Sequence, residues 1–203
     1  MNIVLATRNK KKIEEIRRIT AGMQITLFTL DDFSDCPEVE EDGKTFEENA
    51  VKKAKAVSGY TNMPALADDS GLEVYALNNA PGVFSARYAG EGSGDAANTK
   101  KLLADMSSAP DEKRGARFAC CIALAFPDRT TETFLGYSEG SIGREPRGSN
   151  GFGYDPVFYP RGHKKTFAEM ADEEKDSLSH RGAALKKLQE YLTTPYSPFV
   201  KGD

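Results

Sequence analysis

Ile3-Val4-Leu5-Ala6-Thr7-Arg8-Asn9-Lys10-Lys11-Lys12-Ile13-Glu14-Glu15-Ile16 changes its hydrophobic period in the middle. Ile3 to Ala6 is a continuous apolar run, short enough for a buried strand, and Thr7-Arg8-Asn9 ends it as a polar turn. Beyond the turn Ile13, Ile16 and Ile19 recur on one side of a helix expected over 10–21, with Gly22 as its stop. A buried strand that passes through a polar turn into an amphipathic helix is the opening of an α/β chain.

Further along, Gln24 to Leu30 alternates as a second strand, and an acidic loop runs from Asp31 to Gly43. Thr45-Phe46-Glu47-Glu48 has the spacing of a capping box, a threonine cap with a glutamate three residues later. The helix it opens buries Phe46, Ala50, Ala54 and Val57 and is expected to stop at Gly59. Pro64–Ala67 and Leu72–Leu77 read as two strands flanking Asp68-Asp69-Ser70-Gly71. A helix is expected over Asp95–Met106, and Ala116–Phe126 as a buried strand paired through a Pro-Asp-Arg turn with Thr130–Tyr137. Gly140 to Pro160, rich in glycine, proline and aromatics, reads as a structured loop region. Leu185, Leu188 and Leu192 face the core from a final helix over 179–192, and the tail from about 193 reads as loose. No repeat or linker divides the chain, so residues 1–203 are expected to form a single α/β domain.

Composition narrows the function classes. With 39% hydrophobic and 29% charged residues the chain is of ordinary globular composition, and its net charge is −4. An acidic balance without a basic face argues against a nucleic-acid polymer as partner, while leaving room for a small anion in a local basic pocket. Three cysteines, Cys36, Cys120 and Cys121, form neither a disulfide framework nor a zinc spacing, which suits a reducing compartment. The start is apolar first and basic second, the reverse of a signal peptide, and no segment approaches the roughly 20 apolar residues of a membrane helix. The expectation is a cytoplasmic protein with no membrane partner.

Four clusters carry candidate chemistry. Lys10, Lys11 and Lys12 stand at a helix N-terminus, where like charge meets the positive end of the dipole at a cost of about 0.3–1 kcal/mol each. Two readings remain open there: solvated lysines, or a bound anion that reverses the sign. His180 and Arg181 repeat the oddity at the start of the last helix, with Lys175 just upstream. Glu38, Glu40, Glu41 and Asp42, together with Asp68 and Asp69, offer hard oxygen ligands of the kind Mg²⁺ takes one or two at a time. Either a solvated loop or a metal site accounts for the first group; adjacent charges between two apolar strands are harder to explain as a simple turn. In Gly151-Phe152-Gly153-Tyr154-Asp155-Pro156, glycines flank an aromatic ring that either packs in the core or stacks on a flat base.

Taken in order, these segments resemble the family of inosine triphosphate pyrophosphatases, also called XTP/dITP diphosphatases. The resemblance rests on Thr7-x-Asn9-x-x-Lys12, Glu41-Asp42-Gly43-x-Thr45-Phe46-x-Glu48-Asn49-Ala50 and Ala67-Asp68-Asp69-Ser70-Gly71. It continues through Pro81-Gly82-Val83-x-Ser85-Ala86-Arg87-Tyr88, Gly151-Phe152-Gly153-Tyr154-Asp155-Pro156 and Ser179-His180-Arg181-Gly182. It implies an α/β fold of two lobes on a long mixed β-sheet flanked by helices, with the active-site cleft between the lobes, and a homodimer. It also implies Mg²⁺-dependent hydrolysis of ITP, dITP and XTP to the monophosphate and pyrophosphate, which keeps these nucleotides out of DNA and RNA.

By the same likeness Thr7, Arg8, Asn9, Lys10, Lys11 and Lys12 bind the triphosphate, Glu41 and Asp69 hold Mg²⁺, and Asp69 is the catalytic proton acceptor. Ser70 touches the substrate, and Phe152, Gly153, Tyr154, Asp155, Lys175, His180 and Arg181 surround the base. Arg8, Lys10 and Lys11 make the first loop more basic than in many relatives. The alternatives are a pyrophosphatase for another modified nucleotide and a non-catalytic nucleotide-sensing module; a water-activating carboxylate counts against the latter.

Overall fold

The computed structural model describes residues 1–194. Its first strand, β1 (Asn2–Leu5), has Ile3, Val4 and Leu5 fully buried, as a continuous apolar run in a sheet covered on both faces requires. The turn after it delivers the chain to α1 (Lys10–Ile19), whose Asn9 cap accepts a hydrogen bond from the Lys12 backbone N–H at 3.2 Å. β2 (Thr26–Phe28) then returns parallel to β1, in the register Asn2↔Thr26, Ile3↔Leu27, Val4↔Phe28.

α2 (Phe46–Thr61) opens as expected, with the Thr45 hydroxyl accepting from the Glu48 N–H. The reciprocal bond is displaced by one residue: the Glu48 carboxylate accepts from the Lys44 N–H at 2.6 Å. Gly59 does not end this helix. It ends at Thr61, because Asn62 adopts the left-handed conformation (φ 53°) that closes helices.

β3 (Ala65–Val74) pairs parallel with β1, in the register Val4↔Ala65 and Leu5↔Leu66. The two strands expected around a turn are therefore one strand of 10 residues that runs straight through Asp68-Asp69-Ser70-Gly71. α3 (Asp95–Asp105), β4 (Gly115–Ala125) and β5 (Thr131–Ile142) follow, the last extending well past the expected end at Tyr137. Within the expected loop region lies β6 (Phe158–Pro160), antiparallel to β5 in the register Gly140↔Pro160, Ser141↔Tyr159, Ile142↔Phe158. A short helix that sequence reasoning did not anticipate, α4 (Asp172–Leu178), precedes α5 (His180–Thr193). The strand order is β2-β1-β3-β4-β5-β6, so the expected mixed sheet with flanking helices is observed. The tail expected to be loose lies outside the described residues from 195 onward.

Two compact units share the chain. Among the described residues, the first comprises 1–69, 120–136 and 181–194, with a core in which Ile3, Leu5, Ile16, Leu66, Ile122 and Leu185 are buried together. Each such aliphatic side chain contributes about 1.5–3 kcal/mol by leaving water. The second comprises residues 70–119 and 137–180 and is more aromatic: Phe118 meets Phe158 edge-on at 4.7 Å between ring centroids. Arg114 pegs this second unit. Its guanidinium donates to the carbonyls of Ile142 (2.7 Å), Gly143 (2.7 Å) and Met106 (2.8 Å). Met106 is the C-terminal cap of α3, so this cation also meets the negative end of a helix dipole.

Candidate active site

Successive residues of a strand point to opposite faces, so Asp68 and Asp69 of β3 look in different directions. Asp69 faces α2. Its Oδ1 accepts from Lys53 Nζ at 3.1 Å and its Oδ2 from Asn49 Nδ2 at 3.1 Å, two side chains spaced one helical turn apart. Lys53 also donates to Glu41 Oε1 at 3.0 Å and to the Asp68 backbone carbonyl at 2.9 Å. Asn49 in turn accepts from the Gly43 N–H at 2.8 Å, tying the Glu41 segment to α2. A Cβ on Gly43 would lie 2.6 Å from Asn49 Oδ1, so this close approach requires glycine.

Burial dominates the electrostatics of Asp69 and pushes its pKa up to about 6; Lys53 and Lys12 pull the other way, and Glu41 adds to the rise. Burial likewise opposes the charge on Lys53, but the carboxylates of Asp69 and Glu41 overcome it and hold the ammonium above its ordinary pKa. Against its own burial, Glu41 is lowered chiefly by Lys53. A buried carboxylate poised near neutral pH beside a fixed cation can accept a proton from water.

Asp68 looks the other way and is fully buried. Lys12 Nζ lies 2.5 Å from its Oδ1, and its Oδ2 accepts from Arg181 Nε at 2.9 Å and from the Cys120 thiol at 3.1 Å. Through Nη1, Arg181 also pairs with the buried Glu15 of α1. Burial would raise the Asp68 pKa, yet Arg181 and Lys12 hold it well below the usual carboxylate range. The two helix starts that carry bases at the unfavourable end, α1 and α5, thus both meet an anion supplied by the chain itself.

Among the other sequence-predicted residues of the first unit, the half-buried Thr7 accepts from the Asn9 N–H at 3.1 Å. Arg8 donates to the Cys36 carbonyl at 3.1 Å, and Lys10 and Lys11 are exposed. Ser70, which follows Asp69 in β3 and is the first residue of the second unit, is half-buried.

The second unit gathers a different set. Asp155 Oδ2 accepts from the Phe152 N–H at 2.8 Å and from Lys175 Nζ at 2.6 Å, and that ammonium sits 5.0 Å from the centroid of the Phe152 ring. Gly151 has φ +71°, and a Cβ there would lie 2.1 Å from Asp155 Oδ2. Tyr154 is buried and donates its hydroxyl to the Ser85 carbonyl at 2.8 Å. His180 stacks on Phe118, 4.7 Å between centroids with planes 10° apart.

Lys53, Asn49 and Glu15 escaped sequence reasoning. A signal for the first two was present: both fall on the same helical face as Phe46, Ala50 and Val57, where a lysine is rarely buried unless paired. Among the described residues, no three His, Cys, Asp or Glu side chains cluster closely enough to hold a metal alone. Glu41 and Asp69 nevertheless share one cation, the Lys53 ammonium. Two hard carboxylates with water and phosphate oxygens make up a common Mg²⁺ ligand set, so the residues fit that ion.

The sequence profile of the Ham1 family matches residues 3–191. A Geobacter sulfurreducens protein named dITP/XTP pyrophosphatase is 53% identical over 94% of this chain and 96% of its own length. Among solved structures, a HAM1 protein from Coxiella burnetii is similar with a TM-score of 0.87 and 46% identity, over 95% of this chain and 98% of that one. The dITP/XTP pyrophosphatase from Mycobacterium abscessus gives a TM-score of 0.77 at 48% identity, over 93% and 98% of the two chains. With a family profile that spans nearly the whole sequence and relatives near half identity over almost their full length, the chain belongs to the Ham1 family.

Proposed function

We propose that this protein hydrolyses non-standard purine nucleoside triphosphates, ITP, dITP and XTP, to the nucleoside monophosphate and pyrophosphate. The observation that carries the reading is Asp69: a buried carboxylate on a strand, held by Lys53 and Asn49, with its pKa pushed up to about 6. The names of its relatives supply the substrate class. In the proposed step water attacks the α-phosphorus and gives its proton to Asp69. A new P–O bond forms, the bond to the bridging oxygen breaks, and pyrophosphate leaves.

Glu41 and Asp69 would hold Mg²⁺, which when bound neutralises charge on the phosphoryl oxygens. The basic residues of Thr7 to Lys12 bind the triphosphate, and Lys12 stabilises the charge that gathers on the phosphates in the transition state. Phe152, in the loop that runs to Asp155, stacks on the base, with Lys175 beneath its ring. Ser70 touches the substrate beside Asp69. His180 and Arg181 stand in the base neighbourhood, Arg181 from a buried position paired with Asp68 and Glu15. A donor aimed at a 6-oxo group is left unpaired by adenine, so ATP is disfavoured. The reading includes a cytoplasmic location, which the three free cysteines suit, and a homodimer, which rests on the family resemblance.

The test is pyrophosphate release from ITP, XTP, dITP, GTP, ATP and dTTP, with and without Mg²⁺. ITP, dITP and XTP are expected to exceed GTP and, by a wider margin, ATP and dTTP, and only with the metal. Equal turnover of all six would overturn the selectivity, and binding without release of pyrophosphate would make the protein a sensor.

A further inference from the structure

α3 begins with three polar side chains, and each is committed to a particular backbone group. The buried Asn98 accepts from the Ala89 N–H at 2.8 Å and donates to the Ala86 carbonyl at 3.0 Å. Asp95 and Thr99, one turn apart, both reach a single residue, Gly153. The Gly153 N–H donates to Asp95 Oδ2 at 2.8 Å, and the Thr99 hydroxyl donates to the Gly153 carbonyl at 3.2 Å. Gly153 sits at φ +61°, in the left-handed region, immediately after Phe152. The peptide groups on both sides of that residue are therefore held by one helix.

Elsewhere the loop is anchored as well. Asn150 donates to the Met170 carbonyl at 2.9 Å, and the Phe152 N–H is taken by Asp155. These bonds pin the backbone before and after the aromatic ring, while the half-buried ring of Phe152 has the Lys175 ammonium at 5.0 Å as its polar neighbour. Stacking on a flat base needs the ring plane fixed before the base arrives, since ordering a loop on binding subtracts from affinity. A carboxylate and a hydroxyl on a rigid helix supply that order at the residue next to the ring.

We propose that Asp95 and Thr99 are positioning residues: by clamping both peptide groups of Gly153 they set the Phe152 ring for the purine of the substrate, and so govern affinity for the base rather than the chemical step. This rests on the reading that Phe152 stacks on the base. It predicts that the two side chains matter for ligands that carry a base and not for ligands that are phosphate alone.

The experiment measures KM and kcat for ITP with Mg²⁺, and the inhibition constant of inorganic tripolyphosphate, on the full-length protein and four variants. Asp95→Ala should raise KM for ITP about 10-fold, the scale of one charge-assisted hydrogen bond, with kcat and the tripolyphosphate constant little changed. Asp95→Asn keeps an acceptor oxygen and should restore most of the affinity. Thr99→Val, close in shape, gives a second route if Asp95→Ala folds poorly, and should raise KM in the same pattern. Phe152→Ala tests the underlying reading by itself. If Phe152→Ala raises KM while Asp95→Ala and Thr99→Val do not, the clamp has no positioning role. If Asp95→Ala weakens tripolyphosphate as much as ITP, its effect is general structure and the inference fails. If Phe152→Ala leaves KM unchanged, the base-stacking reading falls, and the inference with it.

Discussion

Lys53 Nζ lies 3.1 Å from Asp69 Oδ1 and 3.0 Å from Glu41 Oε1, so one buried ammonium joins the two carboxylates assigned to the metal. A lysine there draws both carboxylates toward the ionised form, the form that a divalent ion takes. The arrangement favours function over stability, because Lys53 and Asp69 have been taken out of water while Glu41 keeps part of its hydration.

Asp69→Asn preserves volume and an acceptor for Lys53 but removes the proton acceptor and a metal charge. Pyrophosphate release from ITP should fall at least ~10²-fold, the lower end of general-base contributions. Near-normal turnover by a folded Asp69→Asn protein would end the catalytic assignment.

The same substitution should stabilise the metal-free protein at neutral pH. Asp69 has its folded pKa raised from 3.8 to about 6, so between those values the folded state holds a proton that the unfolded chain has released. Stability conferred by that proton is fully present below 3.8 and lost as pH rises through about 6, a difference of up to roughly 3 kcal/mol. Thermal melting of wild type and Asp69→Asn, with chelator present, should converge near pH 4 and separate above pH ~6 with the variant higher. A wild type that gains on the variant as pH rises from 4 to 7 contradicts the burial argument.

Lys12→Ala separates two contributions that oppose each other. From helix dipole alone, removing a lysine from a first turn should leave stability unchanged or slightly higher. The buried contact with Asp68 reverses that expectation: the variant should lose about 1–3 kcal/mol, limited because Arg181 still pairs with Asp68. Triphosphate affinity should fall as well. Chemical denaturation of the ligand-free variant reads the first effect; a wild-type midpoint would show that the pair carries no net stability.

Arg181→Lys retains charge but loses the fork that reaches Asp68 and Glu15 together. Alanine there would strand two buried carboxylates at a cost of about 3–5 kcal/mol, so lysine is the better probe of function. The ratio of kcat/KM for ITP over ATP should drop more than overall pyrophosphate release. Equal loss for both nucleotides would move Arg181 out of base selection and into the support of Asp68.

Local signals were legible in the sequence where local physics suffices. The apolar run of Ile3 to Leu5, the Thr45 cap and the leucines of α5 each announce their element within one or two turns. β3 reads in the sequence as two strands because two adjacent aspartates inside a buried strand look untenable. They are tenable only because Lys12, Lys53 and Arg181 arrive from three separate helices, the last of them 113 residues away from Asp68. The same long-range pairing hid Lys53 and Glu15, whose partners no window of neighbouring residues contains. Candidate residues Lys12, Asp69 and Arg181 are nonetheless recognisable as charge in unfavourable places, and Glu41 through the family resemblance; each of them is engaged with an opposite charge.

Cys120 gives the ion network a chemical reporter. Its thiol is 1% exposed, donates to Asp68, and is pushed well above the ordinary thiol pKa by burial and by that carboxylate. Cys121 beside it is fully covered and raised to about 12, and Cys36 is covered as well. A thiol reagent can therefore modify Cys120 only in molecules whose Asp68 cluster has come apart. The rate of labelling under native conditions becomes a clock for that opening, and any substrate that binds the closed form should slow it in proportion to its occupancy.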